Sequence, residues 1–124
     1  MRMLGPSGIK TNESVVVKPN ICYHRNTDNM IITDLRLIRA TLEVLKEQSS
    51  NIVVVESDNR TGTADYRAER SGVLDMLSSL GVPFRNLSEE KEVTRFDYSG
   101  GSFSIPRIAT EADHLVNILS LIHI

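Results

Sequence analysis

The chain holds one cysteine in 124 residues, Cys22, and no tryptophan. A single thiol excludes an internal disulfide framework and any zinc or iron–sulfur site built on several cysteines of this chain. A basic excess is missing as well. Lys plus Arg number 14 against 16 Asp plus Glu, a formal net charge of −2, which disfavours general nucleic-acid binding. Long hydrophobic runs are absent. The most apolar stretch, 115–124, falls short of the roughly 20 residues a bilayer crossing takes. Residues 1–6 lack the apolar core of a signal peptide. A cytoplasmic protein with no membrane or nucleic-acid partner is the expectation. Glycine is missing between Gly8 and Gly62, and no P-loop pattern occurs anywhere. The glycine-rich turn that a dinucleotide or ATP site needs after a first strand is therefore not there.

What remains is an ordinary globular composition, 40% hydrophobic and 24% charged, at the length of one domain. Ser14–Lys18 is a β-branched run ending at Pro19, the pattern of a strand buried on both faces of a parallel sheet. Residues 20–32 read as a polar loop. Thr33 is placed to cap a helix, with Asp34 in its first turn. Leu35, Ile38, Leu42 and Leu45 make the apolar stripe of that helix. A second buried run, Ile52–Val55, ends in Glu56-Ser57-Asp58. A loop over 59–63 leads to helical spacing through Val73, Leu74, Leu77 and Leu80, with Gly72 as a break and Gly81 as the left-handed stop. Residues 82–87 predict a third strand. Lys91–Phe96 and Ser102–Ile105 flank Ser99-Gly100-Gly101 as a hairpin. A short helical turn over 107–112 precedes a last buried strand, 113–118. This alternation implies an α/β fold: a mostly parallel sheet with flanking helices and one hairpin, in a Rossmann-like three-layer arrangement.

In open parallel sheets, ligands bind beyond the carboxyl ends of the strands. That rule selects Lys18 and Asn20 after the first strand, Ser57 and Asp58 after the second, and Asn117 late in the last. Lys18 suits an anion or a carbonyl, Asn20 would orient it, and Asp58 suits a base or a cation. The competing reading has Lys18 snorkelling at a strand end and Asn20 in an Asx-turn. Ser57 lacks the Gly-x-Ser-x-Gly elbow of an activated nucleophile. Cys22 and His24 lie two apart and His114 is distant, short of the three or four converging ligands of a transition-metal site, so no metal is assigned. Arg36, Arg39, Arg67 and Arg70 read as solvated helix faces.

Taken together, Val15-Val16-Val17-Lys18-Pro19-Asn20, Thr33-Asp34, the helix 38–46 and the strand 52–57 form an ordered series. It continues with Ser71-Gly72-Val73, Leu80-Gly81-Val82, Ile105-Pro106-Arg107 and 111–117. This series resembles the domain-of-unknown-function family 362 of bacteria and archaea over roughly residues 4–118, with Lys-Pro-Asn as its most specific element. The resemblance implies an α/β domain without an assigned reaction. Many members are fused to, or followed by, a ferredoxin-like segment with iron–sulfur cysteines, which implies a redox setting. This chain holds no such cofactor, and a cluster is expected only in the full-length protein. The implied function is a redox-associated domain that takes a small anionic ligand. The alternatives are a non-catalytic ligand-binding or assembly module accompanying an iron–sulfur protein, and a non-functional gene fragment. The residues leave enzyme and non-enzyme open.

The family pattern after the last strand is Asn, a hydrophobic residue, then Pro-x-x-Lys-x-His. Asn117-Ile118 match it, and Leu119-Ser120-Leu121-Ile122-His123-Ile124 do not, so His123 is not the family histidine. Those six residues match the in-frame translation of a common sequencing-library adapter. The expectation is a partial domain over 1–118 with a non-native tail over 119–124. Family members also carry a strand and helix ahead of the stretch corresponding to Met3-Leu4-Gly5, so the fold is expected to be incomplete at both ends.

Overall fold

A computed structural model describes residues 8–120. Strand β1 (Ser14–Pro19) is followed by α1 (Leu35–Lys46), β2 (Asn51–Glu56), α2 (Ala64–Arg70), α3 (Val73–Leu80) and β3 (Phe84–Asn86). Then come the hairpin β4 (Val93–Tyr98) and β5 (Gly101–Pro106), α4 (Arg107–Thr110) and β6 (His114–Ile118). Strands β3, β2, β1 and β6 lie in that order in one parallel sheet, while β4 and β5 form a separate antiparallel pair. This helix-flanked parallel sheet with a hairpin is the Rossmann-like α/β layout that the alternation predicts. No described helix is long and apolar enough to cross a membrane. Of the expected tail, 121–124 lies outside the described residues, as do residues 1–7.

Strand β1 is sandwiched between β2 and β6, and Val15, Val16 and Val17 are all fully buried. Val15 and Val17 share a core with Ile52 and Val54 of β2, with Ile38, Leu42 and Leu45 of α1, and with Val73, Leu77 and Leu80 of α3. The stripe spaced at three and four along α1 therefore faces the sheet, as an amphipathic helix requires. Gly72 (φ 87) and Gly81 (φ 67) bracket α3 in the left-handed region, where a side chain is disfavoured. The Lys46 ammonium donates to the Leu80 carbonyl, tying the ends of α1 and α3 together.

The structure differs from expectation at three points. Asp34, not Thr33, caps α1 by accepting the Arg36 N–H. Thr33 is held elsewhere, its hydroxyl donating to the Ile118 carbonyl at 2.9 Å. The loop after β1 is not simply polar surface, because Ile21 and Ile32 are fully buried in the core. Among the described residues the last strand is an edge strand, and Leu115 is 58% exposed. It is anchored at its start, where Asp113 Oδ2 accepts both the N–H and the hydroxyl of Ser14.

Leu42→Ala is expected to cost about 2–5 kcal/mol of stability, because it empties a fully buried site. Leu37→Ala, on the exposed side of the same helix, is expected to change stability by only about 0.5 kcal/mol. Urea unfolding of both variants checks the assignment of the buried face.

Candidate functional site

The carboxyl ends of β6, β1 and β2 lie side by side, which brings the predicted residues to one end of the sheet. Lys18 and Asn117 are register partners on β1 and β6. The Lys18 ammonium sits 2.9 Å from Glu56 Oε1, with its side chain 37% exposed. Asn117 is exposed and its side chain makes no hydrogen bond among the described residues. Asn20 sits two residues beyond Lys18. Its N–H is shared between the Ile118 carbonyl at 3.1 Å and the Thr33 hydroxyl at 2.9 Å. Its own carbonyl accepts the Thr33 N–H. These bonds staple the chain leaving β1 to the end of β6 and the start of α1.

Ser57 and Asp58 face different surroundings. Ser57 borders a cleft of about 400 Å³ between the end of β2 and the base of the hairpin, with Ser88, Val93 and Ile105 on the other walls. The Asp58 carboxylate accepts the first N–H of α2, from Ala64, at 2.7 Å and the Asn86 amide at 2.8 Å. Those two bonds, with the nearby Arg67 charge, hold the Asp58 carboxyl below its ordinary value of 3.8. Asn86, buried at the end of β3, also donates to Asp65 at 2.8 Å, so it joins the β2 loop to α2.

Two residues outside the predicted set organise this end of the sheet. Glu56 is 5% exposed. Its Oε2 accepts the Ile21 N–H at 3.0 Å, and its Oε1 accepts the Ser57 N–H at 2.9 Å besides meeting Lys18. Arg67 corrects the sequence reading. It is 1% exposed, not part of a solvated face, whereas Arg36, Arg39 and Arg70 are exposed as expected. Its guanidinium donates to the carbonyls of Ile21, Ser57 and Gly62. Glu56 and Arg67 thus grip Ile21 and Ser57 from both ends, one holding each N–H and the other each carbonyl. The sequence did carry a signal for Arg67. It lies between Ala64 and Ala68 at helical spacing, and both alanines are fully buried, so the small residues mark the inward face of α2.

The described residues offer no ligand set that fits an iron–sulfur cluster. The Cys22 thiol donates to the Ile31 carbonyl at 3.3 Å and receives the Asn20 amide at 3.7 Å. Among the described residues no group of three or more His, Cys, Asp or Glu could hold a metal ion.

Arg67→Ala strands the Ile21 and Ser57 carbonyls in the interior and opens a cavity. It is expected to cost about 3–5 kcal/mol, measured by denaturant unfolding. Asp58 gives a pH signature. Its carboxyl is more acidic folded than unfolded, so its contribution is present above about pH 4 and is lost as pH falls through the folded value. The stability gap between the wild type and Asp58→Asn is therefore expected to be widest near neutral pH and to close in acid, as urea midpoints across that range would show.

No curated protein and no solved structure matches the chain. The family described as Domain of unknown function (DUF362) matches residues 15–121, from the start of β1 past the end of β6, and so takes in Lys18, Asn20, Glu56, Arg67 and Asn117. With that match over most of its length, the chain belongs to the DUF362 family.

Proposed function

We propose that this domain binds a small anionic ligand at the carboxyl ends of β6 and β1, within a protein whose wider setting is redox chemistry. The observation that carries the binding site is the Lys18–Asn117 pair. The two residues stand in register on adjacent strands, at the position where open parallel sheets take ligands. An ammonium carries three N–H donors. Glu56 fixes the position of the Lys18 head and leaves it partly open to solvent, while the Asn117 amide beside it is exposed. Both donors suit carboxylate or phosphate oxygens. Because Glu56 offsets the Lys18 charge, directed hydrogen bonds contribute to recognition alongside net attraction. Asn20 is held by its backbone beside this pair, with its side-chain amide turned to the Cys22 thiol.

The redox setting rests on the family resemblance alone. On that reading a cluster would sit on a ferredoxin-like segment, because a cluster takes several cysteines and Cys22 is the sole thiol of this chain.

Thermal unfolding with inorganic phosphate, a nucleoside monophosphate and a dicarboxylate tests the binding reading. One of these is expected to raise Tm, with a stabilisation of about 2.7 kcal/mol at a hundred times its Kd. Asn117→Ala leaves the buried network intact and is expected to weaken binding by roughly tenfold or more, the worth of one hydrogen bond to a charged group. Lys18→Met is expected to remove binding. Unchanged affinity in both variants would count against this site.

A further inference from the structure

The β4–β5 hairpin holds half of the molecule's aromatic residues. Phe96 and Phe103 are register partners, and their rings stack with centroids 5.3 Å apart. The Tyr98 ring lies 6.1 Å from that of Phe103. All three are exposed, Phe96 at 40%, Phe103 at 50% and Tyr98 at 59%. Alternation along a strand places Thr94, Phe96 and Tyr98 on one face and Arg95 and Asp97 on the other. Arg95 Nε and Asp97 Oδ1 sit 3.2 Å apart, both side chains largely in solvent. An isolated two-stranded hairpin is marginal in water, and its outer edges are templates for further pairing. Among the described residues, β4 pairs only with β5.

We propose that the chain self-associates through this edge, with β4 of one copy pairing antiparallel to β4 of a second copy about a twofold axis at Phe96. Charge complementarity selects this occupant. Centring the pair on Phe96 sets Arg95 of each copy opposite Asp97 of the other, so two favourable cross-strand ion pairs form at once. An edge carrying one sign of charge would repel its own copy. This one is self-complementary.

The backbone agrees with the same register. The two-residue turn closes on Tyr98 and Gly101. Counting back in alternation, Tyr98, Phe96 and Thr94 direct their backbone groups at β5, while Asp97 and Arg95 direct theirs outward. The outward residues are the two that the twofold axis places opposite each other. Phe96 then meets Phe96 of the second copy at a close, non-hydrogen-bonded position. The result is a four-stranded antiparallel sheet with one continuous aromatic face, above the three-strand minimum for independent stability. The other edge, β5, offers Ser102 and Ser104 at its outward positions and has no such charge pattern.

Sedimentation equilibrium on the purified chain tests this. The wild type is expected to approach twice the 13.8 kDa chain mass as concentration rises. Arg95→Asp and Asp97→Arg, both at exposed positions and checked for fold by circular dichroism, are each expected to remain monomeric, because like charges then face each other. Mixed together, the two variants are expected to recover the dimer as a heterodimer, since every cross-strand pair is again opposite in sign. A wild type that stays monomeric overturns the proposal, as do single variants that dimerise like the wild type. A monomer whose hairpin is instead covered by another segment of a longer chain counts among the overturning results.

Discussion

Two buried charges of opposite sign hold the carboxyl end of the sheet together without touching each other in an ion pair. Glu56 and Arg67 act through the backbone of Ile21 and Ser57, one taking the N–H groups and the other the carbonyls. Burying either charge costs several kcal/mol, and a full set of hydrogen bonds is what makes both tolerable. Glu56 has two N–H donors and the Lys18 ammonium. Arg67 has three carbonyls, which suits the fixed fork of a guanidinium and would not suit a lysine. The loops after β1 and β2 are thereby locked to one another and to α2.

That lock decides which groups remain for chemistry. The Arg67 guanidinium is engaged by main-chain carbonyls and is shut away from solvent. The Asp58 carboxylate starts α2 and holds Asn86, so its role in the fold is plain. Lys18 is different, because its anchor lies on the inner side and its head still reaches water. The end of the sheet thus separates into an interior frame of Glu56, Arg67 and Asn86 and an outer pair, Lys18 and Asn117.

Most of the fold was legible in the sequence because its elements carry local signals. The Val15–Val17 and Ile52–Val55 runs, the Leu42 and Leu45 stripe and the two glycines around α3 each dictate structure within a few residues. The site was only half legible. Lys18, Asn20, Ser57, Asp58 and Asn117 follow from the strand-end rule, and the sheet brings them to one end. Arg67 was misread because an arginine on a seven-residue helix resembles its exposed neighbour Arg70 by composition. Its burial depends on carbonyls at Ile21 and Ser57, 46 and 10 residues away in sequence. Thr33 was misjudged for a related reason. A hydroxyl before a helix suggests a cap, yet its partner is Ile118, 85 residues later. Helical spacing marks the inward face at Arg67, but nothing in the local sequence names the distant partners of such hydrogen bonds.

Strand order has a consequence for how the chain reaches this state. Strand β1 precedes one of its two neighbours, β6, by all the other described elements, and the Ser14–Asp113 contact joins residues 99 apart. Closing a loop of that size costs on the order of 4 kcal/mol of chain entropy, whereas β1, α1 and β2 are contiguous and can assemble early. A growing chain would therefore expose one flank of the Val15–Val17 strand until β6 emerges from the ribosome. The nascent protein is most vulnerable to mispairing at β1 during that interval, and the docking of a half-exposed edge strand is the step that ends it.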